Sequence, residues 1–174
     1  IVRLAQAYFD VLAAQDARLA DLRVSGNVTE GISSGFNSIV TGCIAYQNGG
    51  TGIAVGSGSS ISNCSASGNT GDGISVGIGC TVTNCSSNGN GNGIRITASG
   101  TVTNCTAHDN DGDGIISGQS STITNCTASL NTLDGIRVSA DCIVRGNTCF
   151  LSGSTGDGAG IHATGSDNHI EGNN

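Results

Sequence analysis

The chain has 174 residues, with 29 glycines, no proline, six Lys+Arg, thirteen Asp+Glu and a formal net charge of −7. That length supports one domain with its own core, and charge this sparse and negative argues against a nucleic-acid backbone or an anionic membrane surface as partner. No apolar run approaches the roughly 18 residues of a membrane-spanning helix, the glycines lack collagen's three-residue period, and a mean hydropathy of +0.03 speaks against disorder.

The first predicted element covers residues 1–18. Ile1, Leu4, Ala5, Tyr8, Phe9, Leu12 and Ala13 follow helical spacing. A short amphipathic helix is expected there, capping the N-terminal end of the remaining chain.

From residue 19 onward the chain repeats. Gly-Ile dipeptides begin at Gly31, Gly52, Gly73, Gly93, Gly114, Gly135 and Gly160, with spacings of 21, 21, 20, 21, 21 and 25 residues. Other columns keep the same register. A β-branched residue recurs at Val40, Ile61, Val82, Val102, Ile123 and Val144, and cysteine at Cys43, Cys64, Cys85, Cys105 and Cys126. Small residues recur at Ala45, Ala66, Ser87, Ala107 and Ala128, and asparagine at Asn48, Asn69, Asn90, Asn110 and Asn131. Leu19, Leu22, Val24 and Asn27 supply the second half of an earlier copy.

A unit this short cannot bury its own apolar side chains, but stacked copies can. Ile-x-Val pairs predict one strand per unit, Thr-Val-Thr a second and Cys-Thr-Ala a third, with Gly, Ser and Asn at the bends. Neighbouring units then pair as parallel strands about 4.8 Å apart. Asn63, Asn84, Asn104 and Asn125 precede the cysteines, where asparagine tolerates left-handed backbone and stacked side chains are expected to bond along the ladder.

The pattern GI-x-V…VTNCTA…N-x-x-DGI resembles the right-handed parallel β-helix repeats of the pectin-lyase-like superfamily, over about residues 19–174. The expected fold is therefore all-β, a right-handed parallel β-helix of about seven 21-residue coils with a helical cap. The resemblance implies a secreted or cell-surface setting, and it leaves activity open because the superfamily holds lyases, hydrolases, epimerases and proteins without a known reaction. The last residues stop inside a coil, so the chain reads as part of a longer protein.

Eight cysteines suggest disulfides at first sight. In-register neighbours about 4.8 Å apart do not match the roughly 3.8 Å between the Cβ atoms of a disulfide, so the column is read as buried thiols. No C-x-x-C pair occurs and the three histidines are scattered, which argues against zinc.

Two places carry candidate chemistry. Asp109, Asp111 and Asp113 alternate before Gly114 like the start of a calcium loop, making calcium the candidate cofactor, although the twelfth position is Ser120 rather than Glu. On the outward face of the Ile-x-Val strand, the column Ser33, Ala54, Ser75, Arg95, Ile116, Arg137 and His162 sets Arg95 and Arg137 two coils apart, with Asp113 and Asp134 ending the turns beside them. Guanidinium forks suit carboxylates, so Arg95, Arg137, His162 and Asp134 form the candidate ligand site for an acidic polysaccharide. The resemblance also implies carbohydrate on this strand face. The paired-Asp clusters of the superfamily's hydrolases, the calcium sites of its lyases and the DPHD motif of its alginate epimerases are absent from these residues.

The sequence thus reads as a non-catalytic extracellular module, a spacer or a surface for polysaccharide or another partner, with no nucleic-acid partner and no membrane insertion. The alternative is a carbohydrate-active lyase, hydrolase or epimerase using the Arg, His and Asp residues above. A third reading rests on Ser60-Ile-Ser, Thr81-Val-Thr, Thr101-Val-Thr and Thr122-Ile-Thr, which resemble the Thr-x-Thr arrays of ice-binding β-solenoids.

Overall fold

The computed structural model describes residues 11–154 and 158–174. They form a parallel β-solenoid with three short strands per coil. The first sheet has eight strands, running from Val11–Ala13 through Ile32–Ser34, Ile53–Val55, Ile74–Val76, Ile94–Ile96, Ile115–Ser117 and Ile136–Val138 to Ile161–Ala163. The second also has eight, from Arg18–Ala20 through Thr81–Thr83 and Thr101–Thr103 to His169–Glu171, and the third has seven, from Arg23–Ser25 to Thr148–Phe150.

Pairing is in register throughout. Ile32 lies beside Ile53, Ile53 beside Ile74 and Ile74 beside Ile94, so each sequence column becomes a physical ladder. Three-residue strands present one or two side chains inward, and most of the inward ones are Ile, Val and Ala, with Ser34, Ser87 and Ser117 among the exceptions. Ile32, Ile53, Ile74, Ile94, Ile115 and Ile136 are fully buried on the first sheet, as are Val40, Ile61, Val82, Val102, Ile123 and Val144 on the second. The third sheet contributes Ala45, Ala66, Ala107 and Ala128, which keeps the core narrow. Ser87 replaces alanine in that column, and its buried hydroxyl donates to the Gly93 carbonyl at 2.8 Å.

The helical expectation for residues 1–18 divides at residue 10. Residues 1–10 lie outside the described residues. Beyond them, Val11–Ala13 is a strand that pairs with Ile32–Ser34, and Arg18–Ala20 is a strand that pairs with Ile39–Thr41. Helical spacing in a short segment is a weak preference, and here an open sheet edge offers a full set of backbone partners. No helix occurs among the described residues, and none is long and apolar enough to cross a membrane.

All eight cysteines are free thiols, and the five of the inward column are 0–3% exposed. Each Sγ donates to the carbonyl two residues before it, as in Cys85 to Thr83 at 3.3 Å, while the Cys43 N–H reaches the Cys64 Sγ of the next coil at 3.4 Å. Burial pushes the Cys80 thiol up, and it pushes Cys149 from 9.0 up to about 11.

The asparagine columns divide the work differently from the expectation. Asn63, Asn84, Asn104 and Asn125 do adopt left-handed backbone, each at φ 54°, but their side chains are exposed. The bonded ladder is the other column. The Asn69 Oδ1 accepts the Asn48 N–H at 3.1 Å and the Asn48 side-chain amide at 2.8 Å, and its own amide donates to Asn90 Oδ1 at 2.9 Å. Asn110 and Asn131 continue the same pattern, with 2.8 Å between their side chains. This ladder explains the Gly of five successive Gly-Ile pairs, those beginning at Gly31, Gly52, Gly73, Gly93 and Gly114. A Cβ on Gly114 would stand 2.5 Å from Asn131 Nδ2 and 2.5 Å from the Gly135 carbonyl oxygen.

Candidate functional site

The outward column of the first sheet is as the sequence ordered it: Ser75 beside Arg95, Arg95 beside Ile116, Ile116 beside Arg137 and Arg137 beside His162. Side chains alternate across a strand, so the residues flanking these positions point into the core and lock the column in place. Arg95 and Arg137, two rungs apart, are separated by roughly 10 Å, with the Ile116 side chain as an apolar floor between them.

Each basic residue is tied to a carboxylate of the preceding coil. Arg95 Nε lies 2.9 Å from Asp72 Oδ2, Arg137 Nη2 lies 3.0 Å from Asp113 Oδ2, and His162 Nδ1 lies 2.9 Å from Asp134 Oδ2. The second carboxylate oxygens bond to the next turn: Asp113 Oδ1 accepts the Asp134 N–H at 2.9 Å, and Asp134 Oδ1 accepts the Ala159 N–H at 2.8 Å. Asp72 Oδ1 accepts the Asn92 side-chain amide at 2.8 Å, and Asn92 Oδ1 in turn accepts the Asp113 N–H at 3.0 Å.

Exposure separates the partners. The Asp113 and Asp134 side chains are 2% and 7% exposed, against 41% for Arg137 and 46% for His162. The carboxylates are therefore internal anchors, and the basic heads remain available to solvent. From Asp72 onward the single interruption fits this logic: where the turn residue is the neutral Asn92, the outward residue of the next coil is the apolar Ile116. An Asp in place of Asn92 would be an anion without a cation.

Two adjoining grooves run along this face. One, of about 350 Å³, is lined by Arg95, Thr97, Ile116, Arg137, Ser139 and Thr164 among others. The other, of about 330 Å³, lies over Ser33, Ala54 and Ser75 and shares Thr97 with the first. The structure thus brings Arg95, Arg137, His162 and Asp134 together on one face. Sequence reasoning missed Asp72 and Asn92 as members, although their place before Gly-Ile matches that of Asp113 and Asp134.

The three aspartates of the calcium reading do not converge. Asp109 and Asp111 are exposed, whereas Asp113 is buried with its oxygens occupied by Arg137 and the Asp134 N–H. Asp109 sits at a left-handed bend, φ 55°, four residues before Asp113 in the turn that leads into the strand Ile115–Ser117. Among the described residues no group of three or more His, Cys, Asp or Glu side chains is placed to share a metal ion.

The architecture has solved counterparts. Crystal structures of the periplasmic alginate epimerase AlgG and of a point mutant of it superpose with TM-scores of 0.65 and 0.61, at 18% and 15% identity. They align with 89% and 91% of this chain, which spans 38% and 50% of theirs. At such identity the likeness is one of fold. No curated protein sequence matches the chain. Residues 31–174 match the family described as "Right handed beta helix region", and the chain belongs to that family.

Proposed function

We propose that the outward face of the first sheet binds an acidic polysaccharide laid along the coils, without turning it over, and that the protein acts outside the cytoplasm. The observation that carries this reading is the pair Arg95 and Arg137. Each guanidinium uses one nitrogen to hold a carboxylate of the preceding coil and keeps its other N–H donors for the groove. Such forks suit sugar carboxylates in a two-point fashion, and Ile116 between them offers an apolar surface to a sugar ring. The similarity to a periplasmic alginate epimerase supports both the ligand class and the location. The absence of proline from the 174 residues means that DPHD does not occur among them, which supports binding without turnover.

A second reading follows from His162. Its Nδ1 lies 2.9 Å from the buried Asp134 carboxylate, and in the neutral tautomer that carries its proton on Nδ1 the Nε2 is left as an acceptor beside Arg137. A base next to a cation that holds a carboxylate is the arrangement for removing a proton from the carbon adjacent to that carboxylate. One experiment separates the two. Incubation with uronate polymers in D₂O, read by mass spectrometry, shows no deuterium at sugar carbon and no chain cleavage if the face only binds. Affinity electrophoresis on the same polymers shows retention, which Arg137→Ala abolishes. Deuterium incorporation that His162→Ala removes would instead establish the second reading, and loss of neither signal with Arg137→Ala would end both.

A further inference from the structure

The chain's charges are unevenly placed. Residues 36–47, 57–68, 78–89, 98–109 and 119–130 form the second- and third-sheet sides of five successive coils, and the only Asp, Glu, Lys or Arg in all of them is Asp109. In place of charge this surface carries hydroxyls and amides in ranks. On the second sheet the outer rank is Ser60, Thr81, Thr101 and Thr122, and a parallel rank two residues on is Ser62, Thr83, Thr103 and Thr124. The exposed amides of Asn63, Asn84, Asn104 and Asn125 run alongside. The outer rank ends at Ile39 on one side and Ile143 on the other, both partly exposed.

We infer that this face binds ice. The inward residues of these strands, Ile61, Val82, Val102 and Ile123, are fully buried, so the outward hydroxyls are held on a rigid backbone. Successive rungs are about 4.8 Å apart, and hydroxyls two residues apart on one strand are about 6.6 Å apart. In ice, two waters bonded to a common third at the tetrahedral angle lie about 4.5 Å apart, from hydrogen bonds of about 2.75 Å. Over the three steps from Ser60 to Thr122 the two repeats drift by only about 1 Å. Within the inner rank, hydroxyls already bond along the axis, as Thr103 and Thr124 do at 3.1 Å. The side-chain hydroxyls of Ser60, Thr81, Thr101 and Thr122 make no protein hydrogen bond among the described residues and are open to water.

The absence of charge fits the same partner. A fixed ion orders water radially around itself and disturbs a tetrahedral lattice, whereas hydroxyl and methyl groups side by side fit one. A polyanionic or polycationic ligand would find no complement here, and the near lack of aromatic side chains leaves no stacking platform for a sugar ring. The surface is distinct from the Arg95–Arg137 groove, which lies on the first sheet.

The test is nanolitre osmometry on the purified chain. Thermal hysteresis with faceted crystals is expected. It should be lost in Thr101→Lys while the thermal melt and the uronate retention stay unchanged, because Thr101 points outward on the second sheet and does not line the groove. Should Thr101→Lys fail to fold, Thr122→Lys on the neighbouring coil is read in the same way. Absence of hysteresis and of crystal shaping in the parent chain overturns the inference, as does hysteresis that survives in a folded Thr101→Lys variant. Retention of a neutral polysaccharide on this face without hysteresis also overturns it.

Discussion

The same residue type serves two opposite purposes in neighbouring columns, and a pair of substitutions separates them. Asn69→Ala removes an oxygen that accepts two hydrogen bonds from Asn48, one from its backbone N–H and one from its side-chain amide. Both donors are buried: Asn48 is 2% exposed, and among the described residues its side-chain amide has no other partner than Asn69. Leaving a buried donor unsatisfied costs about 1–3 kcal/mol. Two of them give about 2–6 kcal/mol, before counting the bond from Asn69 to Asn90. Asn84→Gly, one coil on and in the exposed column, should change stability by less than about 0.5 kcal/mol, since glycine accepts φ 54° without strain. The assay is urea unfolding followed by circular dichroism, comparing midpoints at constant slope. The reasoning is refuted if Asn69→Ala unfolds at the parent midpoint, or if Asn84→Gly costs as much as Asn69→Ala.

Two further outcomes concern the interior. Gly114→Ala should destabilise by about 1–3 kcal/mol, because its Cβ meets Asn131 and the Gly135 carbonyl at 2.5 Å, whereas Gly79→Ala meets nothing within 4 Å and carries only the left-handed strain of roughly 1 kcal/mol; differential scanning calorimetry of the pair checks the order. Stability should also fall in alkali. Burial raises the folded-state pKa of Cys149 from 9.0 to about 11, so the unfolded chain loses its thiol proton first. That contribution is fully present below about pH 9 and is lost as the pH rises through about 11, and chemical denaturation at pH 8, 9.5 and 11 would expose a flat profile if the reasoning fails.

The fold was legible because a solenoid writes its cross-section repeatedly. Any column that is apolar in every copy faces inward, and Ile53, Ile74 and Ile94 could be assigned together. What the repeat could not convey was the direction of a side chain at a bend, since periodicity is the same for an inward and an outward column. That is why Asn63 and Asn84 were expected to bond along the axis and Asn48 and Asn69 do so instead. The ion pairs were legible only in part. The partner of Asp72 is Arg95 and that of Asp113 is Arg137, each on the following coil and more than one full repeat away. Reading each unit by itself hides such pairs; reading the turn residue against the next unit's outward residue shows Asp with Arg, Asn with Ile and Asp with His. At the N-terminus the strand Val11–Ala13 followed from the neighbouring coil rather than from local spacing.

Those diagonal pairs give the coils an order. In the core one coil can replace another, because every one offers Ile, Val and a small residue to its neighbours. On the surface it cannot. Removing Gly73–Asn92 would keep every core ladder intact yet set Asp72 before the coil of Arg95, so that the next outward residue it meets is Ile116, while Arg95 would face Thr51 instead of a carboxylate. Duplication or loss of a unit is thus permitted by the interior and penalised by the exterior. In this protein the interchangeable part of the module is hidden, and the part that records each coil's place in the stack is the one that faces solvent.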